Sequence, residues 1–577
     1  MTVTLASAVS AFGVATKSKL SNKAAIGAPE DQLRAPIERL LKDLAPLTGL
    51  SDDAVSLVGE STLSSLATRP DYAATVQNAL VGFIELKAPG KGADPRRFTD
   101  EHDKKQWLKL KSLPNLLYTD GNCFSLWRNG VLQNAVISLE GNVESSGSAL
   151  AAPPSLLTLI SDFLHWAPVA PRTVKQLAEI TARLCRLLRD EVTEELERGS
   201  PGLTSLAAEW RSLLFPSASD QEFADGYAQA VTFGLLVARA REIELKNGID
   251  KAALELRKSN SLIGTALRLL TDDPENQKGL DSALWTLARV LDAVDWQILT
   301  KGDAEAWLYF YQDFLEVYDN ALRKRTGSYY TPPDVVTAMV RLVDEALRDT
   351  ALFGLPQGLA SQEVTLADPA VGTGAYLLGA LRLIAETVET DLGAGAVPGA
   401  IASAIDRLIG FEMQFGPFAV AQLRLIAEVQ TLMGLKEGSR SLPTLRLYVT
   451  DTLGDPYAIQ TQFSSMTQPI GESRQQANTI KRSEPITVVI GNPPYKDKAK
   501  GKGAWIEAGS AGRAAPMDLW TPPTDWGVSA DLKHLKNLYV YFWRWATLKV
   551  FGAGHQDATG EADTPRSGIV LLRLRHS

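Results

Sequence analysis

The sequence predicts a multidomain chain: a mixed α/β domain in front, an all-α domain in the middle, and a second α/β domain built on a parallel sheet. Three observations carry that prediction. Strand-like and helical runs mix up to about Glu140, and after a short linker nearly everything from about Ser155 to about Arg325 has helical period. Beyond Gly327, short apolar runs alternate with Ala/Leu-rich helical stretches, the pattern of a sheet covered on both faces. At 577 residues the chain is also too long for one hydrophobic core.

Hydrophobic and charged fractions of 45% and 22% are those of an ordinary globular protein, which excludes disordered and fibrous classes. No run approaches the roughly 18 uninterrupted apolar residues of a membrane span, so no membrane partner is expected. Residues 1–30 lack the basic start and compact apolar centre of a secretory signal. They are expected to be a flexible leader on a cytoplasmic protein. Cys123 and Cys185 are far apart and without metal-ligand spacing, which argues against a disulfide framework or a zinc site. Cys185, in a helical apolar pattern, reads as a small buried hydrophobe.

The front domain is expected over 31–144. Residues 31–44 read as a helix, and Gly82–Leu86 as a strand closed by Ala88-Pro89-Gly90. Residues 101–112 read as a second helix. Asn115–Tyr118 and Phe124–Trp127 read as a strand pair across Asp120-Gly121, a hairpin signal. Residues 145–155, small and closing on two prolines, read as a linker. The helical domain is expected over 156–325, with Leu177, Ile180, Leu184 and Leu187 on one apolar face. The last domain, 326–577, carries expected strands at Val364–Leu366, Leu408–Phe411, Leu445–Val449 and Val488–Ile490.

In that last domain the polar residues fall at strand ends. Asp368, Pro369, Gly372 and Gly374 lie where the first strand turns into a helix, and the glycines let backbone approach a ligand closely. Glu412 ends the second strand, where such sheets hold a ribose through its hydroxyls, and Asp451 ends the third. Each alone reads equally as a tight turn, a helix cap or a surface acid. In order, they make a nucleoside site. The fourth strand runs into Asn492-Pro493-Pro494-Tyr495. The exocyclic amine of adenine is a poor nucleophile because its lone pair is delocalised into the ring. The Asn492 side-chain carbonyl and the Pro493 backbone carbonyl can accept both amino hydrogens, and the prolines aim these acceptors. Tyr495 can stack on a base flipped out of a duplex. The plainer alternative is a Pro-rich strand exit with a core tyrosine.

These motifs resemble the DNA amino-methyltransferases, in particular the adenine-N6 branch of bacterial restriction–modification enzymes, with a Rossmann-like domain. The resemblance covers about Phe223 to Trp545. It implies S-adenosylmethionine as cofactor, double-stranded DNA as partner, and a helical coupler ahead of the catalytic domain. Tyr309–Glu316 and Gly327–Pro333 resemble the segment closing over the methionine end of the cofactor, with Thr331 on its carboxylate. Residues 535–545 resemble the helix following the catalytic loop. Asn492 favours adenine over cytosine-N4, where Ser or Asp is commoner, and neither cysteine has the Pro-Cys context of cytosine-C5 chemistry.

At the front, Pro70-Asp71 followed by Glu85-Leu86-Lys87 at a strand end resembles the PD-(D/E)xK nuclease core. That implies Mg²⁺ on Asp71 and Glu85, with Lys87 orienting or activating the attacking water. Alternation along a strand puts Glu85 and Lys87 on one face. Glu38 is a candidate supporting carboxylate and Gln106 a candidate site or DNA contact. The alternative is a salt-bridged strand edge in a small α/β domain.

Net charge is −8, yet phosphate contacts depend on local basic faces. Lysines and arginines crowd the stretch from Lys87 to Lys111, and Lys496, Lys498, Lys500 and Lys502 crowd another. An isolated charge run is ordinarily a solvated surface; here each lies beside a motif set. No Gly-x-x-x-x-Gly-Lys-Ser/Thr loop occurs, so no ATP-driven motor is expected. Nuclease, coupler and methyltransferase without a motor resembles the type IIG/IIL arrangement, and parts also resemble the type ISP enzymes. Residues 567–572 begin a plausible fifth strand, followed by an arginine-studded tail. This reads as truncation before the last strands and the target-recognition domain, or as a protein whose remainder is a separate chain. Three activities stay open: methylation with Mg²⁺-dependent cleavage, methylation alone with a degenerate front domain, and a non-catalytic remnant or DNA-binding subunit.

Overall fold

The computed structural model describes residues 3–22, 28–51, 54–59, 70–76, 79–167, 171–213, 218–245, 248–259, 264, 267, 274–294, 299, 306–319, 331–435, 444–458, 468–496, 498–510, 512–552 and 566–573. Gly327 to Tyr330 and the last four residues, to which sequence expectations attach, lie outside them. The chain divides into two compact units, 1–170 with 281–293, and 171–280 with 294–577.

The first unit is a six-stranded sheet in the order β1 (Val55–Gly59), β2 (Tyr72–Val76), β3 (Ala79–Leu86), β4 (Leu116–Thr119), β5 (Cys123–Arg128), β6 (Val131–Ser138). Neighbours are antiparallel except β3 and β4, which pair in parallel, with Glu85 opposite Tyr118. A parallel pair needs a crossover, and α3 (Glu101–Leu110) supplies it. The expected hairpin is the β4–β5 pair.

Helices fill one core with this sheet. In α2 (Arg34–Leu44) the apolar positions Ile37, Leu40, Leu41 and Leu44 fall on one face at helical spacing and are all buried. α4 (Ser155–Leu164) adds Leu156, Leu159, Ile160 and Phe163.

Two expectations need correction here. The leader expected over 1–30 contains α1 (Leu5–Leu20), capped by Thr4, whose hydroxyl accepts from the Ser7 amide at 3.1 Å. Ala8, Val9, Phe12, Gly13 and Thr16 are buried, a stripe at spacings of one, three and four that packs into the core. The linker expected over 145–155 is pinned beneath this helix. Lys17 donates to the Ser145 carbonyl at 2.7 Å and Ser10 to the Ser148 carbonyl at 3.0 Å. A side chain at Gly13 would meet the Gly147 carbonyl at 2.2 Å, so the approach requires glycine. The first unit accordingly continues through α4, which the sequence reading assigned to the helical domain. Truncating Phe12→Ala should cost about 3–5 kcal/mol of stability, read by urea unfolding.

In the second unit, α5 (Val174–Glu197), α6 (Asp220–Ala240) and α7 (Ala306–Tyr318) pack together, with Phe233 against Phe310 and Phe314. Five strands follow: β7 (Leu366–Asp368), β8 (Leu408–Glu412), β9 (Arg446–Val449), β10 (Val488–Gly491) and β11 (Ile569–Leu572). They are parallel throughout, in the order β11-β10-β7-β8-β9. The crossovers include α8 (Ala375–Leu392), α9 (Phe415–Leu432), α10 (Gln468–Ser483) and α11 (Leu538–Phe551). Four expected strands are present within about two residues, and 569–572 pairs beside β10 as a fifth. Strand order reverses between β7 and β10, and ligands of open α/β sheets bind at the carboxyl ends flanking such a reversal. Among the described residues no helix is long and apolar enough to cross a membrane.

Candidate functional site

The register Val488 opposite Leu366 and Val489 opposite Ala367 sets the exits of β7 and β10 side by side. Gly372 and Gly374 take positive φ, +53° and +85°, and Gly374 leads into α8. The loop is tied to the next strand, because the Gly372 amide donates to Glu412 Oε2 at 3.0 Å. Met413 and Gln414 amides donate to Glu412 Oε1 at 2.8 Å each. Burial raises the Glu412 carboxyl, and those three amides oppose it.

Asp368 lies beneath the loop rather than on the cavity wall. Its Oδ1 accepts from the Ala370 amide at 3.0 Å, while Oδ2 is buried with no hydrogen-bond partner. Burial, aided by the charge of Glu412, pushes its carboxyl up to about 8. The folded state therefore holds a proton that the unfolded chain releases near 3.8, so stability should fall as pH rises from about 4 to about 8. Asp368→Asn keeps the acceptor for Ala370 and removes this titration. Its melting temperature should fall less than that of the unaltered protein between pH values of about 5 and 8. A glycine at 491 is required beside this carboxyl, since a Cβ there would sit 2.8 Å from Asp368 Oδ1.

At the tip of β9, Asp451 Oδ1 accepts from the Leu453 amide at 3.0 Å, and Thr452 donates to the Pro369 carbonyl at 2.6 Å. At the exit of β10, Asn492 Nδ2 donates to Thr331 Oγ1 at 3.1 Å. Thr331, expected on a cofactor carboxylate, thus accepts from the Asn492 amide while lining the same cavity. The Tyr495 hydroxyl is 3.1 Å from Asn492 Oδ1 and also contacts the Arg573 carbonyl. Its ring stacks on Tyr539 of α11, with centroids 5.8 Å apart and planes within 7°.

These groups surround one cavity of about 520 Å³. Of the expected residues, Thr331, Pro369, Gly372, Glu412, Asp451 and Asn492 to Tyr495 line it, whereas Asp368 and Gly374 do not. Tyr311, Phe411, Leu538 and Phe542 add apolar wall, and Lys496, Lys502 and Arg573 add cations. Glu412 ends β8 and Asp451 follows β9, whereas the cations follow β10 and β11, at the other side of the sheet. Size and lining suit a nucleoside-sized ligand, with acidic acceptors for hydroxyl and amino groups.

The second unit thus carries, on one parallel sheet, a glycine loop after its first strand and Asn-Pro-Pro-Tyr after its fourth, both opening onto one cavity. Residues 306–510 match the family model of the N-6 DNA methylases. Over 223 residues the chain is 24% identical to the adenine-specific methyltransferase PglX of Streptomyces coelicolor, covering 35% of this chain and 17% of that protein. It is similar in structure to a chain of a DrdV–DNA complex (TM-score 0.44, 19% identity, 94% of this chain and 49% of that one). It is also similar to the ATP-dependent type ISP restriction–modification enzyme LlaBIII bound to DNA (TM-score 0.45, 17% identity, 69% and 25%). The chain therefore spans at most about half the length of these relatives.

The first unit holds a second constellation. Asp71, just before β2, accepts from Arg34 at 2.7 Å and from the Leu86 amide at 2.8 Å. Glu85 is 2% exposed, and burial with the Asp71 charge pushes its carboxyl up to about 8. Its Oε1 accepts from Lys87 at 2.9 Å, and its Oε2 is buried with no hydrogen-bond partner. Asp71 and Glu85 thus offer paired carboxylates with one uncommitted oxygen, which suits a hard divalent cation. Among the described residues no group of three or more His, Cys, Asp or Glu side chains is arranged to hold a metal ion. Lys87 also meets Gln106 at 2.5 Å and Asp103 at 3.0 Å.

Gln106 is at this site as expected. Asp103 was missed because nothing in the spacing distinguishes it from other helix acids. Glu38 pairs with Lys42 on its own helix at 2.8 Å. The basic stretch is partly neutralised locally: Lys91 pairs with Asp103, Arg96 with Asp94 and Lys104 with Glu101. Cys123 and Cys185 are free thiols, and Cys185 is buried.

Proposed function

We propose that the second unit transfers the methyl group of S-adenosylmethionine to N6 of adenine in double-stranded DNA, as part of a restriction–modification system. The observation that carries this reading is the opening of the Gly372 loop, Glu412, Asp451 and Asn492–Tyr495 onto one cavity. S-adenosylmethionine supplies an electrophilic methyl group on a good leaving group. Glu412 and Asp451 accept hydroxyl and amino hydrogens of the adenosyl moiety, and Gly372 lets backbone come close. Thr331 holds the Asn492 amide so that Oδ1 is turned to the target amine. Asn492 Oδ1 and the Pro493 carbonyl accept the two amino hydrogens, leaving the nitrogen lone pair directed at the methyl group. The Tyr495 hydroxyl, now beside Asn492 Oδ1, gives way to the amine, and the amino proton leaves to solvent after transfer.

For the first unit the reading is Mg²⁺-dependent phosphodiester cleavage. Asp71 and Glu85 would hold the cation, which neutralises charge developing on phosphate, and Lys87 would steady the attacking water. Methylation without cleavage is the second reading, favoured by the enclosure of Lys87 between Glu85 and Asp103.

The full chain incubated with methyl-tritiated S-adenosylmethionine and unmethylated duplex DNA should yield N6-methyladenine after digestion. No detectable binding of the cofactor by calorimetry would sink the methyltransferase reading.

A further inference from the structure

Lys481, near the end of α10, is buried among the strand tips, where an unpaired ammonium would be costly. It is not unpaired. Nζ donates to Thr450 Oγ1 at 3.0 Å and to the Asp451 backbone carbonyl at 2.5 Å, and lies 5.9 Å from the centre of the Phe411 ring. Phe411 and Asp451 both line the cavity. The helix end is held in turn from α11, where Lys549 Nζ donates to the carbonyls of Ile480 (2.8 Å), Lys481 (3.1 Å) and Glu484 (2.8 Å). The Arg446–Glu484 pair closes the same end. Asp451 and Asp455 face the ammonium with opposite charge and Arg474 with like charge.

We propose that Lys481 is a positioning residue for the cofactor: by gripping Thr450 and the Asp451 carbonyl it aims the Asp451 carboxylate at the adenine amino group. The inference rests on the cofactor reading above. Without Lys481 the tip keeps Thr452 on the Pro369 carbonyl and the Gly454 amide on the Asp451 carbonyl, but the Asp451 carboxylate itself is held by the Leu453 amide. A shift of the peptide that Lys481 grips would turn that carboxylate, and the lost contact would be the one to the 6-amino group.

The test compares S-adenosylhomocysteine with its 6-deamino (purine riboside) analogue by calorimetry. In Lys481→Met, Kd for S-adenosylhomocysteine should rise about tenfold, equivalent to about 1.4 kcal/mol, while Kd for the analogue stays within about twofold. Equal losses for both ligands would mean a merely structural role and overturn the proposal, as would no loss for either. A second measurement needs no variant. Burial holds the Lys481 ammonium down to about 8, so it loses its charge as pH rises from about 7 to about 9.5. The preference of the unaltered protein for S-adenosylhomocysteine over the analogue should then fall about threefold, or about 0.65 kcal/mol. A constant preference overturns the proposal. If the unaltered protein binds neither ligand at neutral pH, the cofactor reading itself fails.

Discussion

Asn492→Ala should lower the rate of methyl transfer to DNA about a hundred- to a thousandfold, with cofactor affinity changed by no more than about threefold. The side chain contributes an acceptor, already oriented, where the amine must shed its delocalisation. Alanine leaves the Pro493 carbonyl alone to hold the nitrogen. Asn492→Asp separates the acceptor from its orientation. It retains oxygen acceptors but loses the Nδ2 donation to Thr331, so its activity should fall between the two. Single-turnover transfer of tritiated methyl, read beside calorimetric cofactor binding, measures both quantities. Full activity in the alanine variant would refute the assignment.

The second large effect belongs to the first unit. Lys87→Ala should reduce Mg²⁺-dependent cleavage of unmodified duplex DNA at least about a hundredfold while leaving methylation within about twofold. The Glu85 and Asp103 carboxyl groups would then lose the amine between them, Asp103 keeping Lys91, so the unit should also lose stability. Lys87→Met in an Asp103→Asn background removes one of those charges and separates loss of chemistry from loss of fold. Cleavage that survives Lys87 replacement in a folded protein would favour the structural alternative, a salt-bridged strand edge. Supercoiled-plasmid nicking and methyl incorporation, run on the same preparation, read the two activities independently.

Much of the candidate site was legible because it is local. Glycines after an apolar run, acids at the ends of the next two, and Asn-Pro-Pro-Tyr after the fourth are each set by a few consecutive residues. Glu85 and Lys87 share a face because strand alternation requires it. Elements without such a signature were missed. α1 has a regular apolar stripe, but small residues weaken it until Gly13 is seen against Gly147. The edge strand β6 is mostly half-exposed and has no alternation to detect, with burial running exposed, intermediate, intermediate, exposed along its first four residues. Asp103 and Lys481 look like ordinary charges on helices, and only burial against Lys87 and Asp451 distinguishes them.

The sequence by itself determined which residues end strands, which loops carry glycine, and which polar side chains stand at the strand ends. Those properties depend on neighbours a few positions away. Only the tertiary structure decided that β10 lies beside β7, more than a hundred residues earlier in the chain, so that Asn492 opens onto the same cavity as the Gly372 loop. It alone decided that Asp368 is fully buried beneath the loop and that Thr331 meets the Asn492 amide. It also decided that the first unit takes in α1 and α4. Strand order, burial and ion pairing between distant segments arise from minimising exposed apolar surface and unpaired charge over the whole fold, and no local pattern encodes that minimum.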